Sequence, residues 1–377
     1  MARNRVIYQS EALYVGATGA AGATATQLNR VQDVSHSVDI ARQDVNEFGK
    51  LASLKREVVE PPTVGTDFTY YLGNGHNETG MGFTVRNVSP GVSTDTNCVS
   101  GIIGEDRDLI LKNYYVKTVP EGSDATAYDG DDAGGLTSSS VIGIGNGFIT
   151  DYTLNAAVGD IPTVSISMEA ANINFVTGDD GGAAGFAIPA DENPAIDEVN
   201  GQGISQAVNL PQSTTGDQTF AALRPGDITL NLSASAGSSS TLQMGGARLA
   251  DLHVQNFSFA VPIGRSQLAQ IGSKYPYFRA VDFPVVATMS VSAILADIDE
   301  GNLSGILCTE ETRDLDATFK LNCSPTEAFR IVMKNATLDS QNFSSSIGDN
   351  KTVDLTFSAQ VGGPQDTTAG IFMSGTA

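Results

Sequence analysis

The chain has 377 residues, among them 40 Gly, 14 Pro, 16 Phe, 10 Tyr and no Trp, long enough for two or three domains of roughly 100–200 residues each. Its 43 acidic against 21 basic residues give a net charge of −22 and a pI near 4.3, which argues against a protein that grips nucleic acid or an anionic membrane surface. A hydrophobic content of 41% excludes a disordered acidic tail, and the Gly, Ser and Thr content favours strands and turns over long helices.

The chain opens with Met1-Ala-Arg-Asn-Arg-Val-Ile-Tyr-Gln-Ser10, basic but without a following apolar stretch. No run approaches the ~18 apolar residues of a membrane span, so the expectation is a soluble protein made in the cytoplasm, or one that leaves the cell without a secretion signal, with no membrane partner. Val34, His36, Val38 and Ile40 then alternate with small or polar residues, the period of a half-buried strand. A short helix is predicted over Ala41–Phe48, closed by Gly49 in the left-handed conformation. After Pro61 a second strand follows, with Val64, Thr66, Phe68, Tyr70 and Leu72 on one face. Gly73–Val99 reads as a long loop that contains His76. Gly143-Ile-Gly-Asn-Gly147 reads as a turn, because it misses the dinucleotide fingerprint. Val164, Ile166 and Met168 mark a further strand.

Compared with itself, the sequence aligns in three collinear blocks. Val31-Gln-Asp-Val-Ser-His-Ser-Val-Asp-Ile-Ala-Arg42 lies on Val254-Gln-Asn-Phe-Ser-Phe-Ala-Val-Pro-Ile-Gly-Arg265, and the match runs without gaps to Leu72 and Leu295 with 11 of 42 positions identical. Ser100–Ile103 matches Ser304–Leu307, and Val158-Gly-Asp-Ile-Pro-Thr-Val164 matches Ile347-Gly-Asp-Asn-Lys-Thr-Val353, so the offset shrinks from 223 to 204 to 189. The pattern is that of a tandem duplication with shorter loops in the second copy. It predicts a mainly β protein of two sandwich or partial-barrel units, each with one short helix: residues 1–175, a linker or exposed insertion at 176–223, and residues 224–377. By this alignment His36 stands where Phe259 stands, a core or interface position. The predicted helices carrying Arg42 and Arg265 are the candidate surface between subunits, with an internal ion pair or a solvated face as the alternative.

At these residues the sequence resembles the major tail tube proteins of long-tailed bacteriophages and archaeal tailed viruses. The resemblance is carried by Arg30-Val-Gln-Asp-Val-Ser-His-Ser-Val-Asp-Ile-Ala-Arg42, Phe48-Gly49, Val59-Glu-Pro-Pro-Thr-Val-Gly-Thr-Asp-Phe68, Gly145-Asn-Gly-Phe-Ile-Thr-Asp-Tyr-Thr-Leu154 and the Val158-Gly-Asp-Ile-Pro block. These are packing and turn motifs, covering most of the first unit and, more weakly, the second. The resemblance implies two packed sheets flanked by a short helix, and rings that stack into the tube through which the genome leaves. It also implies assembly in the host cytoplasm, residence in the virion tail, and other tail proteins as partners. Single-unit members form six-membered rings, so a duplicated chain is expected to form a homotrimeric, pseudo-sixfold ring. The long Gly73–Val99 loop is expected to reach the neighbouring ring, its counterpart at Ala296–Leu303 being far shorter.

An acidic bore would let viral DNA slide without being held. Adaptation to high salt accounts for the same balance, with 29 Asp over 14 Glu and 13 Arg over 8 Lys. No enzyme is expected: His36, His76 and His253 are far apart, and no zinc, nucleophile-elbow or Walker spacing occurs. Cofactors and metals are not expected either. Tyr128–Gly134 and Asp297–Gly301 have calcium-like acid spacing but do not complete the loop. Cys98, Cys308 and Cys323 are too few for a disulfide framework. The rival reading is a cell-surface or adhesin-like β-module that binds carbohydrate or protein; the absence of Trp counts against a glycan site.

Overall fold

Two-residue periodicity decides most of the elements. Along Thr63–Tyr71 the side chains of Val64, Thr66, Phe68 and Tyr70 are buried while their neighbours are half-buried or exposed, and Thr163–Ala170 repeats the pattern through Val164, Ile166, Met168 and Ala170. The computed structural model describes residues 6–7, 10–18, 24–87, 97–103, 111–119, 125, 139–178, 186–197, 201–211, 228–234, 252–295, 312–320, 327–363, 366 and 368–376. The protein is mainly β, as the sequence predicts.

The first half holds β1 (Glu11–Ala17), β2 (Thr26–Gln27), β3 (Val31–Asp39), β4 (Arg42–Val45), β5 (Lys55–Val58), β6 (Thr63–Tyr71), β7 (Val85–Asn87), β8 (Lys112–Thr118), β9 (Ser139–Ala157), β10 (Thr163–Ala170) and β11 (Asn172–Gly178). It also holds the helices α1 (His76–Met81) and α2 (Ser100–Ile103). Four short strands follow: β12 (Phe186–Ile188), β13 (Ile196–Asp197), β14 (Gln202–Gly203) and β15 (Val208–Leu210). The second half holds β16 (Ile228–Ala234), β17 (Leu252–Pro262), β18 (Arg265–Leu268), β19 (Phe278–Val281), β20 (Val285–Leu295), β21 (Thr312–Lys320), β22 (Glu327–Ser344), β23 (Thr352–Val361) and β24 (Gly370–Gly375).

Strand pairing in the second half repeats that of the first. β1 pairs with β8, β8 with β9, β9 with β10 and β11, β10 with β6, and β6 with β3. In the same order β16 pairs with β21, β21 with β22, β22 with β23 and β24, β23 with β20, and β20 with β17. All of these pairs are antiparallel. The two sets are fused where β17 pairs with β9, giving the continuous order β22-β23-β20-β17-β9-β10-β6-β3. One apolar core runs through both halves, from Leu13 and Phe68 to Phe357 and Met373.

β9 and β22 each serve two layers. The first part of β9 pairs with β8 and β11, and the part from Phe148 onward pairs with β10 and β17. The bend between them sits at Asn146, which holds φ 57, and Asn335 in β22 repeats the same value. Asn tolerates this left-handed conformation better than most residues. Gly143–Gly147 is therefore part of a bent strand and not a turn: pairing on both sides holds it extended.

Three further expectations change. Ala41–Phe48 is not a helix; Arg42–Val45 forms β4, whose partner is β5, and Arg265–Leu268 forms β18 with β19. Gly49 and Gly272 do hold left-handed φ values of 90 and 96, but they turn hairpins. An isolated eight-residue helix is marginal in water without an apolar stripe to bury, and β4 is exposed at every position. Among the described residues, α-helices occur in the first half only. The Gly73–Val99 segment, where described, folds inward: α1 buries Asn77, Glu78 and Met81, and β7 pairs with β24 of the second half. The described part of the 176–223 segment is packed too, with Phe186, Ile188, Val208 and Leu210 covering Tyr14, Tyr115 and Val176 in a second apolar cluster.

Cys308, Cys323, Ala296–Leu303, Ser304–Leu307 and both calcium-like loops lie outside the described residues. Among the described residues no helix is long and apolar enough to cross a membrane.

Candidate functional site

The fused sheet presents an extended polar surface. One face of β22-β23-β20-β17-β9-β10-β6-β3 packs on the core; the alternating residues form the other face. Across that second face run Asp33, Ser35 and Ser37 of β3, Asp67 and Thr69 of β6, Ser165, Ser167 and Glu169 of β10, and Asp151, Thr153 and Asn155 of β9. It continues in the second half through Asn256 and Ser258 of β17, Thr288, Ser290 and Ser292 of β20, Asp354, Thr356 and Ser358 of β23, and Asn342 and Ser344 of β22. Among the described residues no Lys or Arg projects from this face within the strands.

Short side chains keep the surface low, and several are tied down locally. Thr153 donates to Asp151 at 2.8 Å, the Thr69 backbone N–H donates to Asp33 at 2.9 Å, and the Ser344 and Thr352 hydroxyls are 2.6 Å apart. Such a face can hydrogen-bond water everywhere and offers a phosphate no cation to bind.

Among the described residues the sheet stops at two unpaired edges. β3 pairs on one side only, with β6, and Leu338–Ser344 of β22 pairs only with β23. Residues pointing to the core side at these edges are left uncovered: Val38 and Phe343 are each 44% exposed. Their counterparts at the fused seam, Val261 and Leu154, are 0% exposed. Beside β3 a cleft of about 330 Å³ opens, lined by Leu13, Leu28, Val31 and Val34 among others.

The residues singled out from sequence separate into different environments. Phe259 is fully buried at the seam, opposite Leu154. His36 is exposed on the open edge, opposite Thr66. Arg42 is exposed on β4 opposite Val58. Arg265, its sequence counterpart, is half-buried and held: Nη2 donates to the Ile102 carbonyl, Nη1 donates to the Arg279 carbonyl at 3.3 Å, and the guanidinium lies 5.5 Å from the Phe148 ring centre. Burial, with the charge of Arg279 adding to it, lowers the Arg265 pKa to about 10. His76 opens α1 and bonds the Gln27 carbonyl at 3.2 Å, so it is a structural residue and not a loop one.

Sequence reading missed a polar cluster inside the first half. Glu78 of α1 is buried and accepts from the hydroxyls of Tyr70 at 2.7 Å and Tyr152 at 3.3 Å. Burial raises its pKa, opposed by the two tyrosine bonds. The tyrosines occupy the positions of Ala293 and Gln341 in the second half, so this cluster is not repeated. Among the described residues no group of His, Cys, Asp and Glu is arranged to hold a metal.

No protein-family model matches the chain, and no curated protein matches it.

Proposed function

We propose that this chain is the structural subunit of a viral tail tube: three copies close into a pseudo-sixfold ring, the rings stack, and the polar sheet face lines the bore through which DNA leaves. The observation that carries the reading is that cation-free face, continuous across both halves and ending at two open edges. A polyanion is retained by Lys and Arg contacts that release its counterions, and a wall without them lets it slide. Two different open edges on one chain favour head-to-tail association, which either closes into a ring or continues as a filament. Three copies of an eight-stranded wall exceed the ~16–18 strands at which a closed barrel already leaves an aqueous channel. The sequence resemblance points the same way.

Electron microscopy and native mass spectrometry of the purified protein test this. Rings of three chains, alone or stacked into hollow tubes, are expected. A monodisperse monomer overturns the reading and favours the adhesin-like module; six chains per ring overturn the stoichiometry.

A further inference from the structure

The chain contains a finished example of the joint that its open edges lack. At the seam, Asn256–Pro262 of β17 pairs antiparallel with Ala157–Asp151 of β9, placing Phe257 opposite Ala156, Phe259 opposite Leu154 and Val261 opposite Tyr152. Each half owns one strand of each kind. Thr66 faces His36 as Met289 faces Phe259, which makes β3 the counterpart of β17. Val164 faces Leu154 as Val353 faces Phe343, which makes the end of β22 the counterpart of the end of β9. The seam uses β9 of the first half and β17 of the second. The unused partners are β3 and β22, the two open edges.

We propose that these edges join between copies: residues 33–39 of one chain pair antiparallel with residues 340–346 of a second copy, in the register of the internal seam. His36 then stands opposite Phe343, Val38 opposite Gln341 and Val34 opposite Ser345 of the second copy. This rests on the ring reading and specifies its joint. Continuity with the internal seam selects a second copy of this chain as the occupant, and pairing would cover Val38 and Phe343, the apolar residues that the open edges leave exposed.

The register also distinguishes the two joints chemically. The internal seam matches Phe259 with Leu154 and Val261 with Tyr152, whereas the joint between chains matches His36 with Phe343 and Val38 with Gln341. Less apolar surface is buried between chains than within one, so rings come apart into whole, folded chains before any chain opens at its own seam.

Paired cysteines read the register. His36→Cys with Phe343→Cys, oxidised after assembly, is expected to give disulfide-linked oligomers, because directly opposed Cα atoms lie about 4.5–5.5 Å apart, within disulfide reach. Val38→Cys with Phe343→Cys, displaced by two positions to about 7–8 Å, is expected to give none, and each single variant sets the background from the native cysteines. Rings that form without the His36–Phe343 crosslink, or that crosslink equally in the displaced pair, overturn the register and leave the ring reading standing. Monomers by native mass spectrometry overturn both. His36→Phe, which makes the outer joint resemble the inner one, supplies an independent readout: the chain concentration at which rings dissociate is expected to fall about tenfold. An unchanged or higher value counts against the pairing.

Discussion

α1 carries Glu78 into a buried site where the hydroxyls of Tyr70 and Tyr152 take the place of water. An acid whose pKa is raised by folding binds its proton more tightly in the folded chain. Its favourable contribution is therefore present below the ordinary value of 4.5 and is lost as pH rises through the raised one. Glu78→Gln keeps the shape and removes the titration. Its stability relative to the native chain is expected to improve as pH rises from 4.5 through the raised pKa and then to level off, measured by denaturant midpoints at successive pH values; a difference constant from pH 4.5 upward would contradict the burial of the acid. Single residues were the least legible scale in the sequence. Arg42 and Arg265 align, yet one is solvated and the other packs on Phe148 and α2. Phe148 and Ile102 come from distant segments, so no local pattern announces that contact.

The hairpins β4–β5 and β18–β19 show why elements are read more securely by face than by type. A left-handed glycine closes a helix and a hairpin turn equally well, so Gly49 and Gly272 were identified correctly while the segments before them were not. Phe48 and Ile271, each just before that glycine, are 106% and 107% exposed. Both hairpins leave the sheet at the same end, beyond Asp39 and Pro262, opposite the turns that hold Val158 and Ile347. In stacked rings these apolar tips would meet the next ring. Phe48→Asp with Ile271→Asp is expected to leave thermal stability within about 0.5 kcal/mol and to yield single rings by electron microscopy. Normal tubes would place the axial contact elsewhere. The exposed Arg56–Asp44 pair on β4–β5, at 2.7 Å, is expected to matter little: Arg56→Ala should cost under about 1 kcal/mol by chemical denaturation.

Across the whole molecule, composition gave the charge and alternation gave the faces, but neither could give the order of strands. Val164, Ile166 and Met168 were readable as one face; that β10 lies between β6 and β9 depends on pairing over about a hundred residues of chain, where the pattern of alternation carries no partner information. The first and third collinear blocks lead into strands with matching partners in both halves, which made the seam interpretable once seen. Asp67→Lys with Asp354→Lys places cations on the exposed sheet face. It is expected to convert a protein indifferent to duplex DNA into one that retains it, with log affinity falling against log salt by about 0.9 per phosphate contacted. Gel mobility across a salt series measures this, and no retention would remove the sheet face from the conduit argument.

β9 and β22 have a mechanical consequence of their own. A strand that threads both layers ties their fates together, since neither layer can peel away without tearing hydrogen bonds that the same strand makes in the other. Load applied along such a strand passes through Asn146 or Asn335 from one layer to the next, and the two layers of a half are expected to melt together.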